Sequence, residues 1–227
     1  MHGKPEKTRD LFERAIGHIP LVKEKRYWRR YIFLWIYYAI WEELEQDNPQ
    51  RAEQVYANCV KIIPHKSFTF AKVWNLNARF LIRHGKLDFA RKLFGSAIGS
   101  CPKEKLFKDY ISLEIAMREF DRARLLYQKY LEWNPANCQA WIKFGDLEKM
   151  LGDTERCRAV FEIAVQQLEL DMPEVLWKSY IDFECEEQEW QHARNLYKRL
   201  LERTRHVKVL LSSSRFIFHL LILNLKH

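Results

Sequence analysis

The sequence predicts an all-α fold, a right-handed α-solenoid of paired antiparallel helices. Two recurrences and a pattern of breaks predict it. ARKLF at 90–94 returns as ARLLY at 123–127, CRAVF at 157–161 and ARNLY at 193–197, at intervals of 33, 34 and 36 residues. Upstream lies a second template: an aromatic, two variable residues, an aromatic, two more, an apolar residue and Glu. It reads FKDYISLE at 107–114, WIKFGDLE at 141–148 and WKSYIDFE at 177–184, with weaker copies WIYYAIWE at 35–42 and WNLNARFL at 74–81. Breaks fall between the two templates and after the second. An active site is written once. A unit that recurs at this period is a building block too small to bury its own apolar face, so it stacks on its neighbours.

The elements follow in order. The chain opens on a lone helix of the second kind, TRDLFERAI at 8–16, within a partial repeat at 8–20. Full repeats are predicted at about 27–64, 70–102, 104–135, 138–170 and 174–206, each a helix A and a helix B. In helix A, Trp141, Phe144, Leu147 and Glu148 stand at i, i+3, i+6 and i+7 and share one face. In helix B, Ala123, Leu126, Tyr127 and Tyr130 do the same. The small residue heading each B motif (Ala90, Ala123, Cys157, Ala193) permits close helix approach.

Gly152 and Asp153 read as a helix stop and an N-cap between A and B, and His84-Gly85-Lys86 marks the same break two repeats earlier. A proline follows the B aromatic by eight positions at Phe12/Pro20, Tyr56/Pro64, Phe94/Pro102 and Tyr127/Pro135, where its missing N–H ends the helix. After Phe161 that place holds Glu169, and the break is expected to slide to Pro173. Residues 210–227 lack the repeat signature and read as a divergent apolar C-terminal tail.

Composition narrows the class. Of 227 residues, 48% are hydrophobic and 14% aromatic, enough for a core, while seven glycines and seven prolines suit long helices rather than a turn-rich β fold. The net charge of +8 is uneven. Residues 1–135 carry 25 Lys/Arg against 16 Asp/Glu, residues 136–190 carry 5 against 13, and residues 191–227 carry 8 against 1. An acidic belt between basic ends suits several partner surfaces better than one nucleic-acid sleeve. Five cysteines without a CxxC pair read as reduced thiols, and the opening MHGKPEKTRD lacks the apolar core of a signal peptide. The apolar runs 31–41 and 216–225 are far shorter than the roughly 20 residues of a spanning helix, so no membrane segment is expected.

No catalytic chemistry is legible. GxxxxGK[ST], GxGxxG, HExxH and GxSxG are absent, and no two of the eight histidines stand at ligand spacing. No catalytic residue, metal, cofactor or small-molecule substrate is predicted. The recurring Trp35, Trp74, Phe107, Trp141 and Trp177 are expected to be buried, and Glu42, Glu114, Glu148 and Glu184 to make contacts within or between repeats. Arg91, Arg124, Arg158 and Arg194, with Arg9, are expected to pair ionically between helices rather than to form a nucleic-acid ladder. Two basic stretches are candidate partner or RNA patches: Lys23, Lys25, Arg26, Arg29 and Arg30, interleaved with Tyr27, Trp28 and Tyr31, and Lys198, Arg199, Arg203 and Arg205 beside Arg194.

The two templates together resemble the half-a-TPR (HAT) repeat over about residues 8–208. Within that class TRDLFERAI, RRYIFLWIYYAIWEELE, PHKSFTFAKVW, CPKEKLFKDYISLE and LDMPEVLWKSYIDFE resemble the crooked neck family of pre-mRNA splicing factors. The connectors carry most of this, since solenoid packing does not dictate them. The resemblance implies a nuclear, non-enzymatic scaffold of the spliceosome with protein partners of the nineteen-complex type; small nuclear RNA or pre-mRNA is a candidate contact of the two basic patches alone. Alternatives are a HAT subunit of another RNA-processing complex (mRNA 3′-end cleavage or ribosomal RNA processing) and a direct RNA-binding protein. The chain departs from the family pattern at both ends: it opens on helix B, and after residue 209 no further copy follows.

Overall fold

A computed structural model describes residues 5–203. These form eleven helices with no strand among them: α1 (Pro5–Ile16), α2 (Lys25–Leu44), α3 (Pro49–Ile62), α4 (Ala71–Arg83), α5 (Leu87–Ser100), α6 (Glu104–Ala116), α7 (Phe120–Trp133), α8 (Cys138–Met150), α9 (Thr154–Val165), α10 (Pro173–Glu186) and α11 (Trp190–Arg203). The chain divides into two compact units between Leu126 and Tyr127, inside α7. In the first, α1 to α6 pack each on the next, and α4 also meets α6. In the second, α8 to α11 do the same, and α8 meets α10. Each unit is thus a stack in which a helix covers the face its neighbours leave open, the arrangement of a helical-repeat solenoid. The predicted tail at 210–227 lies outside the described residues.

The turns between the A-type and B-type helices share one geometry. Asp47, Gly85, Arg118, Gly152 and Gln188 all have left-handed backbone, with φ between 48° and 76°. The next residue's N–H then reaches back to the carbonyl of the last template position: Asn48 to Glu42, Lys86 to Leu81, Glu119 to Glu114, Asp153 to Glu148 and Glu189 to Glu184, at 2.8–3.0 Å. In the last four, which span five residues, this is the bond that closes a Schellman C-cap; the Asn48 bond spans one residue more. Asp153 also caps α9, its side chain accepting from the Arg156 N–H at 3.0 Å, and Asn48 and Asn137 cap α3 and α8 in the same way.

The prolines behave as expected at the ends of α3, α5 and α7, which stop one or two residues before Pro64, Pro102 and Pro135. The fifth site differs. α9 stops at Val165 with no proline near, and Pro173 is the first residue of α10. It starts a helix instead of ending one, because the N–H it lacks has no acceptor in a first turn anyway.

The small heads of the B helices lie at the closest packing. Ala52, Ala90, Ala123, Cys157 and Ala193 are fully buried. Burial pushes the Cys157 thiol up to about 12, which leaves it protonated and inert. On the facing side, a Cβ added to Gly145 of α8 would sit 2.8 Å from the ring of Phe161.

Two outcomes follow for unfolding measurements. Gly145→Ala destabilises the fold by about 1–3 kcal/mol, overriding the ~1 kcal/mol that alanine gains over glycine inside a helix. A stabilised variant would mean that the Phe161 ring yields. Gln188→Gly raises stability by about 0.5–1 kcal/mol, since relief of the left-handed strain exceeds the added chain entropy; an unchanged or lowered urea midpoint refutes this.

Candidate partner interface

The residues singled out by the templates converge on the junctions between successive repeats. In α1, Arg9 forks onto Glu42 of α2 at 2.7 and 3.0 Å. In α5, Arg91 forks onto Glu114 of α6, both bonds at 2.8 Å. In α9, Arg158 forks onto Glu184 of α10 at 2.7 and 2.9 Å. Each Glu is fully buried, and the arginines are 12–28% exposed. The carboxylate hydrogen bonds raise the pKa of all three arginines above the ordinary guanidinium value. One helical turn along, the B aromatic stacks on the second template aromatic: Phe12 on Tyr38, Phe94 on Tyr110 and Phe161 on Tyr180, with centroids 5.0–5.1 Å apart and planes within 11°. Tyr127 stacks on Phe144 in the same way. The junction is therefore a bidentate ion pair beside a ring stack.

Arg124 donates to Asp121 within its own helix at 2.9 Å. Glu148 is fully buried, with Arg156 at 4.0 Å. The α3–α4 junction is written with other letters. Glu53 stands at the Arg place, Asn77 at the second aromatic and Leu81 at the Glu. Tyr56 instead meets Phe80 at 5.4 Å in a tilted contact, and Arg83 of α4 forks onto Glu43 of α2 at 2.7–2.9 Å. The basic and acidic members of the pair are lost together, so no charge is left buried alone.

The lead aromatics Trp35, Trp74, Phe107, Trp141 and Trp177 are 2–7% exposed. Several tryptophans also tie down the preceding connector: Trp28 Nε1 donates to the Val22 carbonyl, Trp74 to Thr69 Oγ1 and Trp141 to the Pro135 carbonyl, at 2.9–3.0 Å. Buried Trp35 Nε1 has no hydrogen-bond partner among the described residues.

The first basic patch is on the surface but is poorer in free aromatics than the sequence suggested. Lys23, Lys25, Arg26, Arg29 and Arg30 are exposed. Trp28 and Tyr31 are buried, with the Tyr31 hydroxyl donating to the Ile16 carbonyl at 2.6 Å, so their faces are not open for stacking. The helix period turns them inward while it turns the cations outward. Tyr27 and Tyr37 are the exposed aromatics here, and Lys72 of α4 adds a cation 4.6 Å above Phe33. The second stretch is mainly structural. Arg199 binds both Glu162 oxygens at 2.7 and 3.0 Å, holding that carboxyl below its ordinary pKa. Arg203 donates to the Val165 carbonyl at 2.8 Å, and both guanidiniums lie 5.5 Å from the Trp177 ring centre. Lys198 and Arg194 face outward to differing degrees, and Arg205 lies outside the described residues.

In the acidic belt, Glu186 pairs with Lys149, and Asp182, Glu187 and Glu189 are exposed. A cleft of about 600 Å³ opens between α7 and α9, its floor made by Leu131, Trp141, Phe144 and Val160 and its rim by Glu132 and Arg156. Among the described residues no group of His, Cys, Asp or Glu could hold a metal ion, and no helix is long and apolar enough to cross a membrane.

Stacked helix pairs joined by buried ionic and aromatic contacts define a helical-repeat protein. No protein-family profile matches the chain. It is 57% identical over 211 residues, 93% of its length, to "Crooked neck-like protein 1" of Homo sapiens. It is 57% identical over 214 residues to "Pre-mRNA-splicing factor clf1" of Aspergillus fumigatus and 56% identical over 214 residues to "Protein crooked neck" of Drosophila melanogaster. Over this stretch the chain is a homologue of the crooked neck and clf1 pre-mRNA-splicing factors. It spans 25%, 32% and 30% of the lengths of those three relatives.

The junction pair gives a direct test. Arg158→Met or Glu184→Gln alone costs about 3–5 kcal/mol, the range for breaking a buried ion pair by removing one partner. Arg158→Met combined with Glu184→Leu costs less than the sum of the single changes, as the Glu53/Leu81 junction implies. Strict additivity in a double-mutant cycle would show that the two side chains do not depend on each other.

Proposed function

We propose that the chain is a scaffold segment of the spliceosome, acting in pre-mRNA splicing through protein contacts spread over its repeats. The carrying observation is the identity of 57% over 93% of the chain to proteins whose names place them in the crooked neck and pre-mRNA-splicing factor group. The architecture suits the role. Repeats joined by the same ion pair and ring stack hold adjacent surfaces at fixed separation, and their outer charges change sign along the chain. The working units are the repeats at 27–64, 70–102, 104–135, 138–170 and 174–206, with the partial repeat at 8–20. The setting is nuclear, the partners are spliceosomal proteins of the nineteen-complex type, and the segment itself performs no catalysis.

A second reading has its own observation. The exposed Lys25, Arg29, Arg30 and Lys72, with Tyr27 and Tyr37 beside them, form a basic surface with two open aromatics, suited to small nuclear RNA or pre-mRNA. Affinity purification from nuclear extract separates the two. With nuclease, spliceosomal proteins remain bound to the chain if scaffolding is by protein. Asp182→Lys with Glu187→Lys then releases a different subset from Lys25→Glu with Arg29→Glu and Arg30→Glu. Release of every partner by nuclease shifts the account to RNA binding. Recovery of cleavage or ribosome-biogenesis factors overturns the splicing assignment and leaves the fold untouched.

A further inference from the structure

The cleft between α7 and α9 is made by departures from the repeat pattern. All of its lining residues belong to the second compact unit. Two positions beyond the small head of each B helix stand Gln54, Lys92, Leu125 and Asn195 in the other full copies, and Ala159 in α9. Six positions beyond it stand Asn58, Ser96, Lys129 and Arg199, and Ile163 in α9. Ala159 and Ile163 both line the cleft. α9 thus gives up bulk where the other copies have a longer side chain, and presents an isoleucine, 52% exposed, where they are polar. Neither change serves the stack, since Cys157, Val160, Phe161 and Ala164 carry the buried face of α9. Trp141 and Phe144 of α8 make the floor, and Leu131 of α7 adds to the far wall. At about 600 Å³ the cleft falls within the roughly 300–1,000 Å³ of sites that enclose a bound group. Two charged residues line its mouth. Arg156 is held by Asp153 at 3.5 Å and stands 4.0 Å from Glu148. Glu132 is exposed and has no ion-pair partner among the described residues. Glu155, one turn before Ala159, is exposed as well. The stretch 136–190, which supplies the floor and the α9 wall, carries 13 Asp/Glu against 5 Lys/Arg. The charge left over at the mouth is negative.

We propose that this cleft docks a basic amphipathic helix of a partner protein. Aliphatic side chains along one ridge of that helix fill the space beside Ala159, above Trp141 and Phe144 and against Ile163. A Lys or Arg beside the ridge meets Glu132. The occupant is helical because the floor and walls are apolar. An extended segment would bring backbone N–H and C=O groups there without partners, whereas a helix satisfies its own. It is basic because the unpaired charge at the mouth is acidic. The inference deepens the scaffold reading, on which it rests for the docking of a protein at all, by naming one surface and the chemistry of its partner. Its test involves no splicing component, so the two readings fail separately.

The probe is a labelled peptide of roughly 18 residues, about five helical turns, with leucines on one face and lysines on the other. It is titrated into the full 227-residue chain by fluorescence anisotropy. The expected result is saturable binding. A peptide with glutamates in place of the lysines binds about tenfold more weakly, and a Leu/Lys peptide with two central prolines does not bind. Ala159→Leu, which restores the side chain that Leu125 has in the preceding copy, weakens binding about tenfold or more, the loss expected when one leucine can no longer be buried. Ile163→Lys, the residue found at 129, does the same. Glu132→Lys weakens the Leu/Lys peptide and strengthens the Leu/Glu one. Ala159, Ile163 and Glu132 are exposed; far-UV circular dichroism and melting curves check that the variants keep the fold, and the exchanges made in the peptide do not depend on it. Absence of saturable binding, or binding that Ala159→Leu leaves unchanged, overturns the proposal. Equal binding by the proline peptide also overturns it, since the occupant is then extended, as does equal binding by the Leu/Glu peptide. Self-association of the free chain that Ala159→Leu abolishes overturns it too, because the occupant is then a second copy.

Discussion

A buried carboxylate that must be met from the next repeat is the constraint on which the rest of the structure depends. Glu42, Glu114 and Glu184 are out of contact with water. An ionised carboxylate so placed is costly unless a cation with good geometry reaches it. The arginine fork is the side chain that meets both oxygens at once. Because the arginine lies on helix B of one repeat and the glutamate on helix A of the next, the pair sets the axial register between repeats. The ring stack a turn away sets the rotation. Two such contacts side by side leave one rigid solution, where aliphatic packing alone would tolerate sliding.

The turn geometry serves the same end. The glutamate occupies the position whose carbonyl closes the Schellman bond, so its main chain and its side chain are fixed by separate partners. Arg118 and Gln188 accept left-handed backbone at this turn even without glycine. Placing the glutamate outweighs the local strain. The α3–α4 junction shows the alternative solution. There the pair and the aromatic are replaced together, and apolar contact with a relocated fork from Arg83 to Glu43 holds the helices. With leucine at the glutamate place no carboxylate is buried there, and Glu53 at the arginine place pairs with Lys86 near the surface.

What the junctions consume is not available to partners. Arg199 and Arg203 read as surface cations in a list of basic residues, yet they are engaged by Glu162, the Val165 carbonyl and the Trp177 ring. Among the described residues, the surfaces open for recognition include the outer face of α2 with Lys72, the exposed acids of α10, and the cleft between α7 and α9. These surfaces differ in sign and in polarity, which suits the proposed scaffold role.

The sequence by itself determined the helices, their order and their inward faces. The period of the templates, the small residue at each B head and the breaks at Gly85, Gly152 and the prolines are local properties, and local steric and hydrogen-bonding rules act on them directly. It also pointed to pairing of the recurring Arg and Glu, since two opposite charges with one period invite each other. Only the tertiary structure decided that the partners come from consecutive repeats, with Arg158 reaching forward to Glu184. It alone placed the Tyr38, Tyr110 and Tyr180 rings on the preceding B aromatic, turned Trp28 and Tyr31 inward from the basic patch, and made Pro173 a helix start. These outcomes depend on which faces meet across 16 to 26 residues of chain. Burial assigns those faces collectively, so no short stretch of sequence contains the answer.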